Sequence, residues 1–286
     1  MRFLAPETLD DAISAYAAAQ GAARILAGGT DLLVQMRNGV ARPGVIIDIK
    51  GIGELTDIAE GADGSFTLGA AVSGAVLGEH PRFGTVWPGV LEAINLIGST
   101  QVQGRASAGG NLCNASPAGD SVPAMVAAGA VVTVQGPKGR RQLAVEAFPA
   151  GPGRTNLAPG EIVVSFTLPP RPPGSGDAYL RMIPRTEMDI AVVGVGVNLT
   201  LADGVVTAAR VGLGAVAPTV LLVADAGRAL VGSRLEDAAV DAAAAACRAA
   251  CNPIDDKRGT IAYRVRAAGV LLRRSVAIAA ERAGRN

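Results

Sequence analysis

Few side chains in this sequence could carry acid–base, nucleophilic or metal chemistry. The chain holds one histidine, His80, and three cysteines, Cys113, Cys247 and Cys251. A single imidazole excludes most His-based metal sites and a Ser-His-Asp hydrolase. Three thiols make neither a disulfide framework nor a four-thiolate cluster. Cys247 and Cys251 fall four apart on one predicted helix with no matching His or carboxylate set, and read as small buried hydrophobes. No catalytic residue and no metal ligand is expected on this chain. Any catalysis it serves must come from a bound group.

What the sequence offers instead is backbone. Ile25-Leu26-Ala27-Gly28-Gly29-Thr30-Asp31-Leu32 places paired glycines between a predicted strand and a predicted helix. Residues that small let backbone N–H groups approach an anion beside a helix N-terminus, and Thr30 adds a hydroxyl. A tight strand–helix turn accounts for the same residues equally well. A branched side chain at Gly28 or Gly29 is expected to fill the space an anion needs.

A second run, Gly104 to Asp120, pairs Gly109 and Gly110 with small polar residues, among them Ser107, Asn111, Asn114 and Ser116. These supply donors and acceptors while leaving room for a ligand, which a purely structural loop rarely needs. Asp120 also reads as the N-cap of the helix that follows, and Cys113 could sit beside a ligand. Arg181, Arg185 and Asp189 read as a salt-bridged group at the start of a strand. Gly212-x-Gly214-x-x-Ala217 matches a loose dinucleotide fingerprint, but Pro218 removes the helix that fingerprint requires.

The elements that must position these loops follow from periodicity and breakers. A helix is predicted over 10–20, with Thr8 and Asp11 as its capping signal and Gly21 as its stop. Strands are predicted at 23–26, 45–49, 66–72 and 161–168, a mostly helical stretch at 79–97 interrupted by Pro88, a helix at 123–128, and a hairpin around Gly136-Pro137-Lys138-Gly139. Pro169 to Gly176 is the clearest linker. Beyond it, strands at 178–182, 190–201 and 205–213, turning at Asp203-Gly204, precede helices at 224–230, 235–250 and 258–282. Strands followed by helices give an α+β class. The boundary falls near residue 175.

The 286 residues are 49% hydrophobic and 18% charged, enough apolar material for more than one core. Twenty-six basic against 25 acidic residues leave +1, with no electrostatic footprint for nucleic acid or an anionic membrane. Aromatics at 3% supply no stacking platform for single strands. Mean hydropathy is +0.34, yet the longest apolar runs are cut by Asn198, Gly212, Gly214 and Pro218, so no membrane span is expected. The N-terminus lacks a signal-peptide core, and a cytoplasmic location is expected.

Taken together, the two Gly-Gly loops and the Asp189-Ile190-Ala191 strand, in this order, resemble the FAD-binding medium subunit of the molybdenum hydroxylases, the group of aerobic carbon monoxide dehydrogenase and xanthine dehydrogenase. The resemblance runs over essentially the whole chain. It implies a two-subdomain FAD-binding domain of the PCMH type at 1–175 (subdomains about 1–55 and 56–175). A C-terminal domain at 176–286, with a three-stranded antiparallel sheet and helices, follows. It implies that Ile25 to Leu32, above all Ala27 to Asp31, wrap the FAD pyrophosphate and that Ser107, Ala108, Gly109, Gly110 and Asn111 contact it from the other side. Asp120 matches a family carboxylate that binds the cofactor, Ile97 and Val163 match apolar contacts, and Arg181 falls where some members have a Lys near the flavin.

The implied role is an electron outlet, carrying electrons from two [2Fe–2S] clusters on a small partner chain to NAD, oxygen or a quinone. Hydroxylation of a small, heterocyclic or aldehyde-type substrate takes place at the molybdenum cofactor of a large partner chain, and the assembly is a dimer of heterotrimers. Some carbon monoxide dehydrogenase members carry His-Ser where this chain has Thr30-Asp31, which points toward the xanthine dehydrogenase-like branch. The three scattered cysteines exclude the benzoyl-CoA reductase branch with its iron–sulfur insertion. Two rival readings stand beside it: a free-standing FAD-dependent oxidoreductase, and a non-enzymatic nucleotide-binding module.

Overall fold

The structure, a computed structural model, describes residues 1–285. It opens with β1 (Arg2–Leu4), α1 (Leu9–Ala18), β2 (Ala23–Leu26), α2 (Leu32–Arg37) and β3 (Val45–Asp48). The strands form a parallel sheet in the order β1-β3-β2. The Thr8 hydroxyl accepts the Asp11 N–H at 3.2 Å and starts α1; Gln20 and Gly21, at φ +45° and +86°, reverse the chain after it. β1 was not expected. Three residues carry no period, and its place is set by β3, more than forty residues away, through Arg2↔Val45.

The middle of the chain carries α3 (Gly53–Thr56), β4 (Ile58–Glu60), β5 (Phe66–Gly69), α4 (Gly74–Glu79), α5 (Phe83–Val86), α6 (Pro88–Asn95), α7 (Ala108–Cys113) and α8 (Ser121–Ala128). Then come β6 (Val131–Gly136), β7 (Gly139–Ala144), β8 (Pro149–Gly151), β9 (Arg154–Thr155) and β10 (Ile162–Leu168). A five-stranded antiparallel sheet has the order β4-β5-β10-β6-β7. The hairpin closes as expected, with Gly136 opposite Gly139. The predicted helical stretch 79–97 holds two short helices, α5 and α6, preceded by α4, so that three helices follow one another from Gly74 to Asn95. Ser73 Oγ caps the first by accepting the Val76 N–H, and Pro88 opens the third, where its missing N–H costs nothing.

The last third holds β11 (Ser175–Met182), β12 (Val193–Ala202), β13 (Val205–Gly214), β14 (Leu221–Leu222), α9 (Ala224–Leu230), α10 (Asp237–Ala250) and α11 (Ile261–Ala283). The antiparallel sheet gains a short fourth strand beyond the three expected, through Gly212↔Leu222. Asp203 and Gly204, at φ +51° and +74°, make the turn between β12 and β13. Helices beside sheets throughout agree with the α+β class.

Three cores hold the molecule together. Leu9, Ile13, Val45, Ile47 and Leu55 form the first, Phe66, Phe83, Trp87, Phe148 and Phe166 anchor the second, and Val195, Leu213 and Leu272 belong to the third. β10 is a shared wall: Ile162 and Val164 face the first core, and Val163 and Phe166 the second. α8 is buried along its whole length, as a helix apolar on all sides must be. It lies across β12 and β13, where a Cβ on Gly196 or Gly212 would stand 2.5 or 2.2 Å from the Pro123 carbonyl oxygen. That contact explains the glycines of the apparent dinucleotide fingerprint.

Candidate functional site

Between the first two cores runs a crevice of about 420 Å³. Both glycine loops line it: Ile25, Ala27, Gly28, Gly29, Thr30, Asp31 and Leu32 on one side, Ser107, Gly109, Gly110 and Asn111 on the other, with Ile97 and Val163 between. The two loops touch. A Cβ on Gly28 would lie 2.0 Å from the Arg105 carbonyl oxygen, and one on Gly109 would lie 2.2 Å from the Ala70 carbonyl oxygen. The expected reason for Gly28 is therefore corrected. Its hydrogen faces the backbone of the second loop, and a side chain there would part the loops rather than fill ligand space. Gly29 is a glycine because its φ is +80° and Leu26 Cδ1 stands 2.9 Å from a would-be Cβ.

The first loop leaves donors over. None of the hydrogen bonds between described residues uses the backbone N–H of Gly28, Gly29, Thr30 or Asp31, although backbone donors in folded proteins are almost always paired. The second loop is more committed. Ser107 Oγ accepts the Gly110 N–H at 3.1 Å and caps α7, a helix that the glycine-rich sequence hid. Asn111 Oδ1 accepts the Ser121 hydroxyl at 2.7 Å. Gln35 Nε2 on α2 donates to Asn114 Oδ1 at 3.2 Å, which ties the two sides of the crevice together.

Charge in the crevice is sparse. Among the described residues Arg24 is the one cation lining it, and its Nη1 donates to the Ala23 carbonyl at 3.0 Å. Partial burial pushes the Asp31 carboxyl up from its ordinary range. Glu161 is bound by Arg141 at 2.8 and 2.7 Å, and the hydrogen bond from that guanidinium holds it low. Cys113 lines the crevice with its side chain exposed.

Four of the expected site residues lie outside the crevice wall. Leu26 packs under Gly29, and Ala108 belongs to the second core. Asp120 and Arg181 form a buried ion pair at 2.7 Å, with side chains 9% and 6% exposed. Tyr179 donates to the other Asp120 oxygen at 2.9 Å, and Arg181 Nη1 also donates to the Leu96 carbonyl at 3.0 Å, one residue from Ile97. Burial pushes Asp120 up to about 6, against the opposing pull of Arg181 and Tyr179. Asp120 precedes α8 but its side chain makes no capping bond. Asp189 pairs with Arg185 and Arg258 at 3.3 and 3.4 Å, so the predicted salt-bridge group exists without Arg181.

Other lining residues escaped the sequence reading: Tyr16, Arg24, Gln35, and Gly153, Thr155 and Leu157 at the β8–β9 hairpin. The run Gly151-Pro152-Gly153 signals that hairpin. Nothing local signals that it reaches the crevice.

Two family profiles match the chain, one described as the FAD binding domain in molybdopterin dehydrogenase at residues 1–171, the other as the CO dehydrogenase flavoprotein C-terminal domain at 178–279. The carbon monoxide dehydrogenase medium chain of Afipia carboxidovorans is 34% identical over 284 residues, covering 97% of this chain and 96% of that one. The putative xanthine dehydrogenase FAD-binding subunit of Escherichia coli K12 is also 34% identical, over 213 residues and 74% and 73% of the two chains. The Thr30-Asp31 difference is thus not mirrored in overall identity. Reconstituted CO dehydrogenase from Oligotropha carboxidovorans superimposes with a TM-score of 0.95 at 33% identity, covering 99% of this chain and 98% of that one. With both profiles, the relatives and the superposition in agreement, the chain belongs to the family of FAD-binding subunits of the molybdenum hydroxylases.

Proposed function

We propose that this chain is the electron outlet of a multi-chain molybdenum hydroxylase and that the crevice between its glycine loops holds FAD. The observation that carries this reading is the row of four backbone N–H groups, Gly28 to Asp31, without partners among the described residues. A diphosphate needs such donors, and small residues let it reach them. The residues present fit the cofactor on this count, and the crevice gives it apolar walls at Ile25, Ile97 and Val163.

The division of labour follows from position. Residues 28–31 donate to the diphosphate, Thr30 adding its hydroxyl, and Ser107 to Asn111 close over it from the opposite side. Asp120 and Arg181 act from behind the wall, bracing the Leu96–Ile97 segment through the Leu96 carbonyl. Bound FAD supplies the redox chemistry, while the chain binds it, orients it and screens it from water. No side chain here has to move a proton, in keeping with the single histidine.

In this reading the chain takes electrons from two [2Fe–2S] clusters on a small partner chain. The clusters are fed by a large molybdenum-cofactor chain that hydroxylates a small heterocyclic or aldehyde-type substrate. The chain delivers the electrons to NAD, oxygen or a quinone, in a cytoplasmic dimer of heterotrimers. Two relatives, each 34% identical over the part they match, bear the names of carbon monoxide and xanthine enzymes, which supports placing substrate choice on another chain. The three separate cores support a division at about residue 175, with subdomains near 1–55 and 56–175.

The test is absorbance and metal analysis of the native complex, followed by separation of its chains. Flavin absorption that stays with this chain, alongside iron, molybdenum and two co-purifying chains, is the expected result. A colourless chain that takes up no FAD contradicts the reading, and a flavin-loaded chain active alone replaces it with a free-standing flavoenzyme.

A further inference from the structure

α6 ends where the crevice begins. Ile97, which lines the crevice, stands two positions beyond Asn95, the last residue of the helix. Eight residues are too few for a helix to hold itself in water. Trp87, at the N-cap position, makes no capping bond to the N–H groups of the first turn. The anchors of α6 come mostly from the C-terminal part of the chain.

Asp177, Tyr179 and Arg181 alternate along β11 and so share one of its faces. At one end of α6, Asp177 Oδ2 accepts the Val90 N–H at 3.0 Å. An N-cap aspartate makes this bond to the third helical residue, and here it comes from another domain. At the other end, Arg181 Nη1 donates to the Leu96 carbonyl at 3.0 Å. Four residues of strand span about 13 Å and eight residues of helix about 12 Å. One acid and one base on β11 therefore match the two ends of α6, each with the sign that the helix dipole favours.

Further contacts hold this arrangement in place. Gly89 lets the helix lie on the strand, since a Cβ there would stand 2.7 Å from the Ala178 nitrogen and Cα. Arg282 of α11 pairs with Glu92 and donates to the Asp177 carbonyl at 2.8 Å. Arg171, in the proline-rich linker, stacks over Trp87 at 4.5 Å and donates to Asp177 Oδ1 at 2.9 Å. The side chains of that pair are 8% and 5% exposed. One tie comes from the N-terminal part, where Gln103 donates to the Asn95 carbonyl.

We infer that β11 caps α6 at both ends and so sets where Ile97 stands on the crevice wall, with Asp177 as a positioning residue for a cofactor whose crevice it does not line. This rests on the reading that the crevice holds FAD, and it makes cofactor binding in the N-terminal part depend on a carboxylate in the C-terminal part.

The experiment uses the full chain, with three readouts: FAD affinity, the visible circular dichroism of bound flavin, and amide exchange over residues 90–97. R171M/D177A and R171M/D177N both remove the buried ion pair without leaving one charge alone, but only the second keeps an acceptor for the Val90 N–H. R171M/D177A is expected to bind FAD about tenfold more weakly than R171M/D177N, the size of a lost cap. It should also change the flavin dichroism and speed exchange over 90–97. L272A, in the third core, to which no residue of α6 belongs, should lower stability and leave the flavin dichroism as it is. Equal FAD affinity in the two double variants overturns the capping role. A change of dichroism in L272A as large as in R171M/D177A makes the effect one of general stability and also overturns it. If R171M/D177A does not fold, E92Q/R282M, which breaks a partly exposed pair, takes its place. Faster exchange over 92–97 is then expected, and unchanged exchange overturns the inference. A wild-type chain that takes up no FAD overturns the FAD reading itself, whereas the other contrary results leave that reading standing.

Discussion

Two regions of this molecule are rich in glycine beside a helix, and they use it in opposite ways. In the crevice, Gly28 brings the two loops into contact and Gly109 lies against the Ala70 carbonyl, while the N–H groups of residues 28–31 have no partner among the described residues. At the seam between α8 and the C-terminal sheet, Gly196 and Gly212 let the Pro123 backbone lie on the strands, and the polar groups nearby are committed to one another. Asp120 holds Tyr179 and Arg181, and Arg210 donates to the Val126 carbonyl at 3.1 and 3.0 Å. A glycine motif thus declares close approach, and the state of the surrounding backbone donors tells whether a ligand or a packed element does the approaching.

The contrast is tested by asking which property each region controls. Gly212→Val should have the largest effect. Its branches meet backbone that cannot move without displacing α8, so the loss exceeds the ~1–3 kcal/mol of ordinary overpacking, and soluble, cooperatively folding protein should not be recovered. Gly28→Val should give a folded chain with parted loops, seen as a lost flavin spectrum and a modest drop in melting temperature. If the two variants behave alike, the distinction between the regions fails.

Next in size is the buried pair. Asp120→Ala leaves Arg181 buried without its anion and should cost about 3–5 kcal/mol in denaturant unfolding. The isosteric Asp120→Asn addresses pH. Burial raises Asp120 to about 6 in the folded chain, so the folded state holds this proton more tightly than the unfolded one. The group's contribution is present in full below about pH 4 and declines as pH rises through 6. The difference in stability between wild type and Asp120→Asn should therefore change over that interval and level off above it. A difference that is flat from pH 4 to 7 removes the assignment.

Smaller effects sharpen the crevice side. Gly29→Ala forces a Cβ onto a residue at φ +80°, at a cost of order 1–3 kcal/mol, and moves the donors of Thr30 and Asp31. Flavin affinity should fall with little change in the seam. Ser107→Ala removes the cap of α7 and should cost about 1 kcal/mol, measured by thermal melting with and without FAD.

Both glycine loops were legible in the sequence because turns of this kind are written locally, by residues next to one another. So were the Thr8 cap, the hairpin at 136–139 and the strands of the C-terminal sheet. What stayed hidden depends on partners far along the chain. β1 exists through β3, and Asp120 finds Arg181 sixty-one residues on. The hairpin at Gly153 reaches the crevice only through the folding of the whole second core. α7 was masked by its composition, since helix propensity gives no reason to expect Ala108-Gly109-Gly110 at a helix start, and the serine cap outweighed it. Family resemblance pointed to Asp120 and Arg181 as residues of the site; they do not line the crevice, and Arg181 reaches the Leu96 carbonyl beside Ile97.

The central claim is that the free N–H groups of Gly28, Gly29, Thr30 and Asp31 hold the cofactor's diphosphate. Amide hydrogen exchange of the purified chain, stripped of and then reloaded with FAD, tests it most directly. The account predicts fast exchange at these four positions without FAD and strong protection with it, while the amides of α8 remain protected in both states. Protection elsewhere in a flavin-loaded chain, with residues 28–31 exchanging as fast as before, would contradict it.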